Sequence, residues 1–162
     1  MTSGVDRDYW AGEHPRPMSP DAADVAIYSE LLDPSDLAEE ASVLLLGNTP
    51  ALFDLCTSAL DIDPFIDDPR VTLGDWRDNT TTFDAMVGDG VFNMDEHLAH
   101  DIVEMASRYS RRLVVRSFTR KLPPMRIASF FPAPGDFRIA PHVVRPFDEG
   151  YAFYRWDFRA ES

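Results

Sequence analysis

Four loops of this sequence carry glycines and acids that could together hold a nucleoside. Each follows an apolar segment, and the four loops are residues 47–50 (GNTP), 61–64 (DIDP), 74–76 (GDW) and 88–90 (GDG). A carboxylate can accept hydrogen bonds from both hydroxyls of a ribose, an acid beside an aromatic ring can hold an adenine, and a glycine lets a ligand approach the backbone. In an open α/β sheet, ligands bind outside the carboxyl ends of the strands. These loops are therefore the predicted binding site.

The loops resemble those of the class I S-adenosylmethionine-dependent methyltransferases, in particular those of a small bacterial subgroup. The resemblance lies in residues 43–50 (VLLLGNTP), 60–64 (LDIDP), 74–76 (GDW) and 83–93 (FDAMVGDGVFN). The resemblance rests on the order of these segments and on the presence of both a Gly-Asp-Trp and a Gly-Asp-Gly sequence. It implies S-adenosylmethionine as the cofactor.

The resemblance also implies roles for nine cofactor-binding residues. They are Gly47, Asn48 and Thr49 beside the methionine part, Asp61 at the ribose, Ile62 against the adenine, Asp75 at the adenine amino group, Trp76 on the adenine ring face, and Asp89 and Gly90 beside the methyl donor and acceptor. The alternative for each acid is a capping or solvated turn residue.

The loop from Asp89 to His97 is the expected acceptor site, and these two residues are the candidate catalytic groups. A sulfonium is already activated, so the protein mainly aligns the reactants and excludes water. His97 would act as general base only for an acceptor that must lose a proton. A solvated helix face is preferred over a metal site for His97, His100, Asp101 and Glu104, and no metal is expected.

The elements that must position these loops form an α/β plan. We predict a single methyltransferase-like domain over residues 19–162 after an irregular arm, 1–18: a Rossmann-like, mainly parallel sheet with reduced helices and an antiparallel C-terminal strand. Helices are predicted at 20–32, 36–40, 50–56 and 94–108, and strands at 43–47, 58–63, 70–74, 83–88, 111–118 and 151–159. Ser19 is the predicted cap of the first helix and Pro20 its first residue.

Two connections are shorter than parallel crossovers usually are. Only residues 63–70 separate the second and third predicted strands, and residues 75–82 separate the third and fourth. Crossovers normally take a dozen or more residues, so either the first connection is a bare loop without its helix or the strands pair differently. An uncovered sheet face would favour a homodimer or another oligomer.

The charge is acidic but uneven. The net charge is -13, and Lys121 is the only lysine. This composition argues against a nucleic-acid binder. No acid occurs between Glu104 and Asp136, where a basic stretch carries Arg108, Arg111, Arg112, Arg116, Arg120, Lys121 and Arg126. Those arginines could meet an anionic partner or a second copy, or could pair with carboxylates of their own chain.

Two further features bear on the compartment. No apolar run approaches the roughly 18 residues of a membrane span, and residues 1–10 lack a signal-peptide pattern, so a cytoplasmic protein is expected. The single cysteine, Cys56, cannot form an intramolecular disulfide and is interpreted as a small buried hydrophobe.

Three hypotheses for function follow. The leading one is an S-adenosylmethionine-binding, methyltransferase-like protein acting on a small molecule. The second keeps the fold without methyl transfer, as a cyclase or another non-methylating enzyme. The third is a non-enzymatic domain that binds a partner.

Overall fold

The computed structural model describes residues 20–33, 35, 37, 40–47, 49–61, 69, 71–89, 96–118, 136–144 and 149–158. The predicted arm at 1–18 lies outside these residues. In chain order the elements are helix α1 (Ala22–Leu32), strand β1 (Val43–Leu46), a 3₁₀ helix (Pro50–Leu55), β2 (Ser58–Asp61), β3 (Val71–Leu73), a 3₁₀ turn (Trp76–Asp78), β4 (Ala85–Asp89), α2 (Glu96–Tyr109), β5 (Arg112–Phe118), β6 (Asp136–Val144) and β7 (Glu149–Asp157).

The strands form one mixed sheet in the order β3-β2-β1-β4-β5-β7-β6. The first five strands are mutually parallel, and β7 is antiparallel to both β5 and β6. The short, wholly apolar run of β1 is buried at every position, as expected for an inner parallel strand. The predicted plan, a mainly parallel sheet with an antiparallel C-terminal strand, is confirmed.

Hydrophobic clusters cover both faces of the central strands. On one face α2 packs against alternate residues of β1, β4 and β5, including Leu46 and Met86. On the other face α1 and the first 3₁₀ helix pack against the intervening residues, including Leu45 and Val87. The expected uncovered face is therefore not found at β1, β4 or β5. Exposed apolar surface occurs at the edge strand β3, where Leu73 is 68% exposed.

Helix α1 begins at Ala22, two residues later than predicted. Asp21 is the N-cap and forms a capping box with Asp24, in which each side chain accepts the other residue's backbone N–H. The prediction of Ser19 as cap and Pro20 as first helical residue was wrong, because the acid pair satisfies two backbone donors where one serine would satisfy one. The spacing of Tyr28, Leu31 and Leu32 puts them on one face of the helix, and all three are buried.

Other differences have local causes. The helix after Pro50 is a six-residue 3₁₀ helix rather than an α-helix. Strand β6 was not predicted. On β7, Phe153 lies on the same side of the strand as Arg155 and Asp157 but is fully buried. This is because β7 lies inside the sheet and the Phe153 ring packs edge-on against Tyr28, with centroids 5.1 Å apart. The predicted helix at 36–40 and the segment 62–68 lie largely outside the described residues.

Candidate functional site at the carboxyl edge of the sheet

The parallel pairing brings the predicted loops to one edge. Leu46 of β1 pairs with Leu60 of β2 on one side and with Gly88 of β4 on the other. The residues that follow each strand therefore form a row, with neighbours one strand spacing of about 4.8 Å apart. Gly47 lies in the middle of this row, between Asp61 and Asp89.

Gly47 is the residue of this row with the strongest backbone requirement. Its φ is 124°, a value that L side chains rarely adopt, and a Cβ built there would meet nothing within 4 Å. Its N–H donates to the Leu60 carbonyl at 2.8 Å, which fixes the turn against β2. Gly47 is itself buried, but the position that a side chain would occupy is empty, which leaves room for a ligand group to approach this backbone.

Asp61 ends β2 beside Gly47. The residue is 9% exposed, and its backbone carbonyl accepts the Gly74 N–H at 2.9 Å, which ties the next loop to it. These contacts fix the backbone of Asp61 at the edge of the sheet, beside Gly47. The predicted role of Asp61 as acceptor for ribose hydroxyls stays a prediction.

The Gly-Asp-Trp loop differs from its predicted arrangement. The Asp75 carboxylate accepts the Arg77 backbone N–H at 2.9 Å and the Arg77 guanidinium at 2.7–3.2 Å. Side-chain hydrogen bonding to Arg77 is the main reason that the pKa of Asp75 is lowered. Both oxygens therefore have partners already, which is the capping alternative rather than a carboxylate open to an adenine amino group.

Trp76 lies in the hydrophobic core. Its side chain is 1% exposed, and its indole N–H donates to the Leu60 carbonyl at 2.6 Å. The ring faces predicted to contact adenine are covered by core side chains in this structure. The physical reason is that a large ring with one polar atom is buried well where that atom finds an acceptor.

Asp89 at the end of β4 is enclosed by polar partners. Its Oδ1 accepts the Tyr28 hydroxyl and the Arg116 Nε, both at 2.6 Å, and its Oδ2 accepts Arg116 Nη2 at 3.1 Å. The side chain is 5% exposed. Burial raises the pKa of Asp89 above its ordinary value, against the opposing effect of Arg116. The Asp89 carboxyl group is thus fixed by its partners and is poorly placed to exchange a proton with a substrate.

Sequence reasoning missed the partners of Asp89. Arg116 of β5 also donates from Nη1 to the Asp24 carboxylate at 2.8 Å, and both side chains are fully buried. The signals were present: Asp24 lies one turn before Tyr28 on the apolar face of α1, and Arg116 directly follows the apolar run of β5. We call Asp24, Tyr28, Asp89 and Arg116 the Arg116 cluster.

The remaining candidates are placed less centrally. His97 is exposed in the first turn of α2, Thr49 is half-buried before the first 3₁₀ helix, and Asn48, Ile62 and Gly90 lie outside the described residues. Over the described ranges, no group of three His, Cys, Asp or Glu side chains could hold a metal ion. His100, Asp101 and Glu104 are exposed on α2, as expected for a solvated face.

Two other features are separate from this edge. A polar groove of about 490 Å³ lies between the 3₁₀ turn and the C-terminal half of α2, and its lining includes Arg77, Asp101 and Arg108. Burial raises the pKa of Cys56 to about 12, so its thiol stays protonated and is no nucleophile. In the part of the chain that the structure describes, no helix is long and apolar enough to span a bilayer.

The fold is a class I methyltransferase-like fold. The chain aligns with the N-methyltransferase NodS from Bradyrhizobium japonicum WM9 at a TM-score of 0.58 and 14% identity, covering 86% of this chain and 98% of NodS. It aligns with the [4+2]-cyclase SpnF at a TM-score of 0.62 and 10% identity, covering 92% and 86%.

A third similar structure contains a ligand. Magnesium protoporphyrin IX methyltransferase (ChlM) from Synechocystis PCC 6803, with bound SAM, aligns at a TM-score of 0.56 and 11% identity, covering 96% of this chain and 92% of that protein. No protein-family model and no curated protein sequence matches the chain. Identities this low show the shared fold and leave the activity to be argued from the site.

Proposed function

We propose that this chain binds S-adenosylmethionine at the carboxyl edge of its sheet and transfers its methyl group to a small molecule. The observation that carries the proposal is Gly47, whose positive φ and open surroundings lie directly beside Asp61. A backbone turn that admits close approach, next to an acid on a fixed strand end, is suited to an adenosine and its amino-acid tail.

The chain's own residues would have simple tasks. Asp61 would accept hydrogen bonds from ribose hydroxyls, and the Gly47 backbone would leave room for the methionine part. When bound, S-adenosylmethionine supplies an activated methyl group. Asp89 would border the reactants as a fixed group, because Tyr28 and Arg116 occupy its oxygens. His97, exposed in α2, is the remaining candidate base.

Calorimetric titration with S-adenosylmethionine tests this proposal. Saturable binding by the unmodified chain is expected, with at least a tenfold loss of affinity in Asp61→Ala, because the ribose hydroxyls lose their acceptor. Asp54→Asn is the matched control, since Asp54 is exposed on the first 3₁₀ helix and should bind normally. A chain that melts cooperatively yet shows no heat at millimolar cofactor would overturn the proposal.

A second candidate function is cofactor binding without methyl transfer. The likeness to the [4+2]-cyclase SpnF favours it, together with the enclosed state of Asp89. The two candidates differ in whether the methyl group leaves the cofactor. Incubation of the loaded protein with a panel of acceptors and radiolabelled S-adenosylmethionine separates them, because only a methyltransferase would produce S-adenosylhomocysteine and a labelled product.

A further inference from the structure

The Arg116 cluster joins three elements at the carboxyl edge. Arg116 of β5 binds Asp24 of α1 through Nη1 and Asp89 of β4 through Nε and Nη2. Tyr28 of α1 donates to both the Asp89 carboxylate at 2.6 Å and the Gly88 carbonyl at 3.0 Å. The end of β4 is therefore held from α1 as well as from its neighbouring strands.

Stability alone is a poor explanation for such a cluster. Arg116 and Asp24 are fully buried, Tyr28 is fully buried, and the Asp89 side chain is 5% exposed. Removing charges from water costs much of what their attraction returns, so apolar residues of similar size are often equally stable there. The hydrogen bonds of the cluster do fix the orientation of each of its side chains.

The two ends of α1 are held by separate contacts. Arg112, also on β5, donates to the Leu32 carbonyl at 2.7 Å at the C-terminal end of the helix, while Arg116 binds Asp24 near the N-terminal end. Four strand residues span about 13 Å, and the eight helical steps from Asp24 to Leu32 span about 12 Å. The spacing allows two arginines of one strand face to reach both ends of the helix.

We propose that Arg116 and Tyr28 are positioning residues that set the Asp89 carboxylate and the end of β4 for the ligand, so that α1 controls the affinity of the site. This inference rests on the proposed binding of S-adenosylmethionine at the same edge. Arg112 serves the same helix through the Leu32 carbonyl and pairs with Asp157 of β7. We therefore expect it to contribute to stability and not to the site.

A double-mutant cycle on cofactor affinity tests the inference. Tyr28→Phe keeps the ring that packs on Phe153 and removes only the hydroxyl, and it should weaken S-adenosylmethionine binding about three- to tenfold. Asp89→Asn should weaken binding as well. The double variant should bind no worse than Asp89→Asn alone, because the hydroxyl acts through Asp89. Arg116→Lys, which loses the bidentate contact with Asp89, should weaken S-adenosylmethionine binding to a similar degree as Tyr28→Phe.

Arg112→Lys is the control, since it should lower the melting temperature while its affinity stays unchanged. All affinities are measured well below the lowest melting temperature, so that partial unfolding does not contribute. Additive effects of Tyr28→Phe and Asp89→Asn, or an equal loss in Arg112→Lys, would overturn the inference and leave cofactor binding standing. Absence of binding by the unmodified chain would instead overturn the proposed function and this inference with it.

Discussion

Trp76 shows how one residue type can support two different interpretations. The family resemblance implies that a tryptophan after a Gly-Asp pair contacts adenine. In this structure the indole of Trp76 is buried in the core, and its N–H donates to the Leu60 carbonyl, which also accepts the Gly47 N–H. The acceptor that satisfies the ring also fixes the turn at Gly47. The influence of Trp76 on the site would then be indirect, through β2.

Trp76→Phe should therefore lower the free energy of unfolding by about 1–3 kcal/mol, because the substitution leaves a void and removes a buried hydrogen bond. Urea unfolding followed by circular dichroism measures the change. If Trp76 contacted adenine instead, its fluorescence would respond strongly to S-adenosylmethionine. The variant would then lose binding while its unfolding free energy stayed normal, and that pattern would contradict a core role.

At the scale of elements, the C-terminal end of α1 receives hydrogen bonds from arginines of distant strands. Arg112 is 4% exposed and pairs with Asp157 of β7 at 2.7 Å, while Arg155 donates to both Asp157 and the Leu31 carbonyl. Two arginines thus meet the C-terminal carbonyls of α1, where positive charge is favoured. The helix has no basic residue of its own in its last turn.

The Asp157 pair predicts a specific pH dependence. Burial alone would raise the pKa of Asp157, but hydrogen bonds from Arg112 and Arg155 outweigh it and the pKa is lowered. The native chain then binds fewer protons than the unfolded chain in the acid range, so this stabilisation is full above the ordinary pKa near 4 and is lost as the pH falls through the native pKa.

Asp157→Asn should consequently be less stable at pH 7 by up to about 1 kcal/mol, since the side chain is partly exposed. The deficit should shrink as the pH falls below about 4, where the parent chain loses the same charge. Urea titrations of both proteins across this range measure it. A deficit that stays constant with pH would assign the effect to packing rather than charge.

The inner strands of the sheet were predictable from the sequence, and the buried ion pairs were not. The apolar runs of β1, β4 and β5 predicted buried parallel strands because local pattern and burial agree there. The Arg116 cluster could not be predicted in the same way, because its partners are 27 and 92 residues apart and buried charge contradicts the local pattern. The position of Gly47 and Asp61 at the carboxyl edge of the sheet followed from the predicted parallel strands. The Asp75 carboxylate, by contrast, is bound by Arg77, which is only two residues away in the sequence.

At the scale of the whole molecule, the basic stretch is partly internal. Arg112 and Arg116 are buried with carboxylates of their own chain, and Arg108 pairs with Glu104 at 2.9 Å. These three cations therefore offer less to an anionic partner than the sequence suggested. Self-association stays a prediction, and sedimentation equilibrium is the measurement that decides it.

This arrangement predicts that salt stabilises the chain. The net charge is -13, and surplus carboxylates on the surface repel one another over distances that salt screens. The Arg116 pairs are buried and are screened much less, so added salt should relieve repulsion without weakening them. Raising sodium chloride from about 20 mM to about 0.5 M should increase the melting temperature by about 2–4 °C, equivalent to about 1 kcal/mol. Tetramethylammonium chloride at equal ionic strength is the control for specific sodium binding, and a melting temperature that falls with either salt would mean that exposed ion pairs dominate.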